Sequence, residues 1–184
     1  MKKFFKFGCL GIIGLIVLII ILAIAFGGGE DDKVNTGAND SKSEKTETKE
    51  ESKDDGSKKV DASSVTTEAL GLKIGLGEVK ITKDKIQVGI NVENTSENKV
   101  TFYPDQGSAV VGDMQLEANM FLTDGDVSGD IQSGVKKDGV LEFLAPEGKE
   151  LTVKDVKQIK LALGDVFDDT TFDSKDVTLT VEVK

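Results

Sequence analysis

Histidine, tryptophan and arginine are absent from this chain, and all 23 basic residues are lysines. Cysteine occurs once and tyrosine once. Each gap removes a class of chemistry. Without histidine there is no ordinary proton shuttle near neutral pH and no imidazole metal ligand. A Ser-His-Asp or Cys-His nucleophile is excluded for the same reason. A single cysteine, Cys9, allows neither an intramolecular disulfide nor a cysteine-rich zinc site. The net charge is −10, which opposes binding to nucleic acid, because that affinity comes from clustered cations. Paired carboxylates could in principle do the acid–base work of glycoside hydrolysis, but one tyrosine and no tryptophan leave little to build an aromatic sugar platform from. The expectation is a protein that is not an enzyme.

What remains divides the 184 residues into three stretches of different physical character. Residues 1–29 begin with Lys2, Lys3 and Lys6 and continue from Phe7 to Phe26 without a charge. A helix of that length spans about 30 Å, the thickness of a bilayer core. The far side carries Glu30, Asp31 and Asp32, so the positive-inside rule predicts a cytoplasmic N-terminus and an extracellular remainder. A cleaved signal peptide is the alternative, with Ala23-Ile24-Ala25 as its cleavage site and a secreted product. Its apolar region ordinarily runs about 7–15 residues, which is shorter than the run here. Cys9 precedes the apolar run, which disfavours a lipoprotein and makes it a small apolar residue in lipid.

Residues 30–68 are rich in acids, lysine, serine and threonine, and Val34, Val60 and Val65 are their strongly apolar members. Such a composition does not bury enough surface to offset chain entropy, so a disordered charged linker is expected. As a flexible coil it would span roughly 35 Å.

Residues 69–184 hold the expected core. Alternation of period two dominates: Ile86, Val88, Ile90 and Val92, then Val177, Leu179, Val181 and Val183. Leu72, Ile74 and Leu76 alternate as well, and Val79 and Ile81 resume after an odd step. This slip predicts a bulge near Gly77-Glu78. Ser108–Val111 and Met114–Ala118 flank Gly112-Asp113, a spacing suited to a tight hairpin. Further strands are expected over 100–103, 140–145 and 159–167, with one helical turn over 152–156. The core aromatics would be Phe102, Phe121, Phe143, Phe167 and Phe172. Short strands between turn signals predict an all-β fold, an immunoglobulin-like antiparallel β-sandwich.

The run Ile86–Ala118, with Asn94-Thr95-Ser96 as a polar turn and Gly112-Asp113 as a hairpin, resembles the telokin-like immunoglobulin-fold domain of Gram-positive exported proteins. The later segment Lys137–Phe143 is similar to that family's glycine-containing turn into a strand. The resemblance covers about residues 72–183 and rests on structural motifs. It implies the fold and an envelope location. It carries no catalytic residues.

Asp124, Asp126, Ser128 and Asp130 form the most suggestive run for chemistry. Aspartates at the first and third positions, an oxygen at the fifth and glycine at the sixth match the first half of a calcium loop. Val135 occupies the twelfth position, where a bidentate acid is needed. Asp165, Asp168 and Asp169 would complete a site only if the fold brought them close. Glycine and aspartate are also what turns require. Gly71, Gly75 and Gly77 mark a strand whose edge would accept an extended peptide.

The function expected from these features is a membrane-anchored extracytoplasmic module with a binding or interaction role in the cell envelope. Its partner would be an envelope protein or a wall component, with no role for nucleic acid. The alternatives are a calcium-responsive module centred on Asp124–Asp130 and an accessory subunit assembling through its transmembrane helix.

Overall fold

The computed structural model describes residues 33–38 and 56–184. The expected membrane anchor, Phe7–Phe26, lies outside the described residues. Among the described residues, no helix is long and apolar enough to cross a membrane.

The strands follow the alternation. In chain order they are β1 (Lys58–Asp61), β2 (Thr66–Ala69), β3 (Leu72–Ile81), β4 (Lys85–Asn94), β5 (Val100–Phe102) and β6 (Ser108–Val111). Then come β7 (Met114–Ala118), β8 (Asp124–Gly125), β9 (Gly129–Ile131), β10 (Lys136–Leu144), β11 (Gln158–Asp168) and β12 (Ser174–Glu182). The expected single helical turn is a 3-10 turn at Val153–Asp155, and a second one starts at Pro104 and runs to Gln106. Pro104 ends β5 because proline cannot donate to the ladder.

Pairing is antiparallel throughout, in the order β1-β3-β4-β10-β7-β6-β11-β5-β9, with β2 on β3, β8 on β10 and β12 on β11. The join between β10 and β7 is narrow, consisting of Phe143 opposite Ala118 and Leu144 opposite Glu117. On either side of it, the inward residues of β3, β4 and β10 and those of β5, β6, β11 and β12 belong to one buried cluster. Two faces of one pleated surface therefore close on a shared core, as in a β-sandwich. Each inward stripe is the odd or even set of its strand, and the polar set faces out.

The phase slip at Gly77-Glu78 is a bulge. Leu76 pairs with Ile90 and Val79 with Val88, so Gly77 and Glu78 together oppose Gly89. The extra residue returns Val79 and Ile81 to the inner face, where both are fully buried. A second shift lies between Ala162 and Asp165 in β11 and keeps Leu163 and Val166 both inside. The Gly112-Asp113 hairpin forms as expected, with Val111 opposite Met114 and Gly112 at φ +59°. Positive φ at the first central residue is the reason glycine stands there.

Two expectations are corrected. Residues 30–68 are not a linker throughout, because β1 and β2 are strands on either part of β3 and Val34 is buried. These strands are polar edge elements held by backbone pairing, with little apolar alternation for the sequence to display. The ordered body therefore begins before Ala69. The aromatic core is also smaller than expected. Phe102 and Phe143 are fully buried, whereas Phe121 is 89% exposed and Phe172 is 75% exposed. Phe121 sits in a turn after β7, where Asn119 Oδ1 accepts its amide, and no strand period directs it inward. Phe172 stands at φ +62° in the β11–β12 connection, its ring edge-on to Phe167 with centroids 6.2 Å apart.

Candidate functional site

Asp124, Asp126, Ser128 and Asp130 lie on the connection that leaves β10's neighbour β8 and enters β9 beside β5. Asp124 Oδ1 accepts the amide of Gly125 at 2.9 Å. Asp126 Oδ1 takes Lys137 Nζ at 3.1 Å, and the same ammonium donates to the Ser128 carbonyl at 3.1 Å. The Ser128 hydroxyl is shut away from solvent without a hydrogen-bond partner among the described residues. Asp130 Oδ2 pairs with Lys99 Nζ at 2.8 Å and its Oδ1 accepts Thr101 Oγ1 at 3.0 Å. Lys137 and Lys99 thus pair with Asp126 and Asp130, and among the described residues no group of three histidines, cysteines or acids is arranged to hold a metal.

The structure does bring Asp130 close to Asp169. Lys99 bridges them, with Nζ 3.4 Å from Asp169 Oδ2, and Thr101 Oγ1 lies 3.0 Å from the same oxygen. The Asp130 carboxylate, with Asp169 behind it, holds Lys99 above the usual lysine range. In return Lys99 and then Thr101 hold Asp130 below the usual aspartate range. These are exposed pairs, and such pairs contribute little to stability.

Asp168 serves a turn. Asn98 Nδ2 donates to its Oδ2 at 2.9 Å, and the amides of Thr170 and Thr171 donate to Oδ1 at 2.8 and 3.0 Å. These donors, Asn98 first, keep its carboxyl below the ordinary range. Asp165 faces Asp176 across β11 and β12 and also accepts Ser174 Oγ at 2.8 Å.

Asn94, at the end of β4, is fully buried. Its amide nitrogen donates to the carbonyls of Asn98 and Ile131 at 2.8 and 2.9 Å, and its oxygen accepts the amide and hydroxyl of Ser96 at 3.0 and 2.7 Å. The polar turn that the sequence marked is therefore a fully hydrogen-bonded joint between β4, β5 and β9.

One constellation escaped the sequence reading. The outer face of β3 and β4 carries Gly75, Gly77 and Gly89 where other strands carry side chains. Residues Val34–Gly37 lie across that bare floor. The amide of Glu78, freed by the bulge, donates to the Asn35 carbonyl at 2.7 Å. Asn91 Nδ2 donates to the Thr36 carbonyl at 2.8 Å, and Thr36 Oγ1 donates to Asp138 Oδ2 at 3.0 Å. A Cβ on either Gly77 or Gly89 would overlap the Asn35 carbonyl oxygen. The glycine run in β3 was the available signal, but nothing in its spacing says which segment lies on it.

No model of a known protein family matches the chain, and none of the curated proteins matches it either. Among solved structures, it is similar to a functionally unknown protein from Listeria monocytogenes EGD-e, at 16% identity and a TM-score of 0.49 over 70% of this chain and 88% of that one. It is also similar to the yjhA protein from Bacillus subtilis, at 13% identity and a TM-score of 0.42 over 65% of this chain and 96% of that one. A third is the GAE domain of yeast GGA1, at 13% identity and a TM-score of 0.35 over 65% and 97%.

Proposed function

We propose that the protein is a membrane-anchored, extracytoplasmic immunoglobulin-like module with a binding or interaction role in the cell envelope. The observation that carries this reading is the uncharged run Phe7–Phe26, with lysines before it and Glu30-Asp31-Asp32 after it. The short antiparallel strands and their shared core support the immunoglobulin-like part. The missing histidine and the scarcity of cysteine and aromatics support binding over catalysis.

Protease shaving of intact cells tests the reading. The expected result is loss of the body from the cells, with an N-terminal membrane fragment protected. A full-length chain untouched by protease would overturn both orientation and location. A mature species beginning at Phe26 would replace the anchored module with a secreted one.

A further inference from the structure

We propose that the glycine-floored groove on β3 and β4 is a peptide-recognition site, that Val34–Gly37 is its built-in ligand, and that the strap of a second copy of this chain is the partner it accepts in trans. This inference is independent of the membrane reading.

The groove reads the strap at successive positions. Val34 is buried at 8% exposure and stands outside the main core cluster. Asn35 presents its carbonyl to the Glu78 amide and folds its Oδ1 back onto the Gly37 amide at 2.7 Å. Thr36 offers a carbonyl to Asn91 and a hydroxyl to Asp138. Gly37 stands at φ +76°, and a Cβ there would meet the Leu76 carbonyl oxygen at 2.8 Å. The Asn35 carbonyl, the Thr36 carbonyl and hydroxyl, and the bare Cα of Gly37 are thus each met by a named group of the groove. Gly77 and Gly89 are what let two backbones approach so closely. The strap is a short turn held by backbone and side-chain hydrogen bonds.

Exchange follows from the connection. About 20 residues (38–57) separate the strap from β1. At full extension they reach ~65 Å, against roughly 35 Å for the diameter of a compact body of this size. The strap of one copy can therefore reach the groove of a neighbour while making every contact it makes at home. In dilute solution the cis strap wins, because a short tether gives an effective concentration in the millimolar range. Trans occupancy requires that the recipient's own strap be displaced or that copies be crowded to a similar concentration.

The test uses the full-length chain in detergent, isotope-labelled and carrying Val34→Asp with Gly37→Val to disable its own strap. A synthetic peptide of residues 31–40 is added, and hydrogen exchange at the Glu78 amide is followed. The expected result is exchange slowed at least tenfold by the peptide and unaffected by a scrambled one. Unlabelled full-length Gly89→Ala chain, whose strap is evicted from its own groove, should slow it likewise. Unchanged exchange with millimolar peptide, in a recipient that keeps its folded amide spectrum, would overturn recognition. Slowing by peptide but not by the second chain would overturn the second-copy partner. Should the recipient fail to fold, wild-type chain is folded first and then cleaved at a protease site inserted within 41–50. The body then co-elutes with the N-terminal piece if the groove is a site, and separates from it if it is not.

Discussion

The Glu78 amide donates to the Asn35 carbonyl across 2.7 Å, although the two residues are separated by two strands and the chain between them. The bond exists because a bulge frees one amide and because Gly77 and Gly89 leave no side chain in the way. An amide freed from its ladder needs a partner, and the strap supplies one.

Gly89→Ala should therefore destabilise the protein. In an ordinary strand this change removes unfolded-chain entropy and stabilises by about 0.4–1 kcal/mol. Here the added methyl overlaps the Asn35 carbonyl oxygen, and overpacking of this kind costs about 1–3 kcal/mol. Urea denaturation of wild type and variant reads the sign directly. A stabilised variant would mean that no strap lies on Gly89.

Asn94→Ala should cost more than a typical surface change. It takes the side-chain donor from the buried Ile131 carbonyl, at about 1–3 kcal/mol for a buried group left unpaired, while the Asn98 carbonyl keeps Ser96 Oγ at 3.0 Å. Asn94→Asp should be worse at neutral pH than in mild acid, because an ionised oxygen would then face those carbonyl oxygens. Thermal melts at two pH values check both the size and the ordering. Equal melting temperatures for wild type and Asn94→Ala would contradict the buried joint.

How far the fold was legible depended on where burial lay. The inward stripes of β3, β4, β11 and β12 were visible because Val, Ile and Leu recur at period two, and the bulge at Gly77-Glu78 was visible as a break in that period. The hairpin at Gly112-Asp113 declared itself through turn chemistry. The strands β1 and β2 left no such trace, since Lys58, Lys59, Thr66 and Glu68 are held through backbone bonds on an edge. Phe121 and Phe172 show the converse, as apolar residues in turns have no period to bury them. In the loop Asp124–Asp130 the spacing displayed half of a calcium-loop pattern, but spacing alone cannot show that Lys137 and Lys99, distant from it in sequence, meet Asp126 and Asp130.

Asp165 and Asp176 face one another, and like charges directly opposite on a sheet are unfavourable. The hydrogen bond from the pair, and then that of Ser174, holds Asp165 below the ordinary range, while Asp165 holds Asp176 above it. A carboxyl raised on folding binds its proton more readily in the folded state. Its contribution is present below the unfolded pKa and is lost as pH rises through the folded one. Asp176→Asn should remove that loss, so stability across the mildly acidic range should fall less steeply with rising pH than in wild type. Parallel profiles for the two proteins would show that the carboxyls do not interact.

Millimolar calcium should leave the melting temperature unchanged. Asp126 and Asp130 already hold Lys137 and Lys99, and binding would have to displace both ammonium groups. A melting temperature that rises with calcium would show that the loop rearranges into a site.

Amide hydrogen exchange on the full-length chain tests the central structural claim, that Val34–Gly37, β1 and β2 are part of the ordered body. Slow exchange is expected at Glu78, whose amide is held by Asn35, and at Ala62, whose amide is held by the Gly77 carbonyl at 2.8 Å. Exchange at unfolded-chain rates at both amides, with β3 and β4 still protected, would contradict it and return the start of the domain to Ala69.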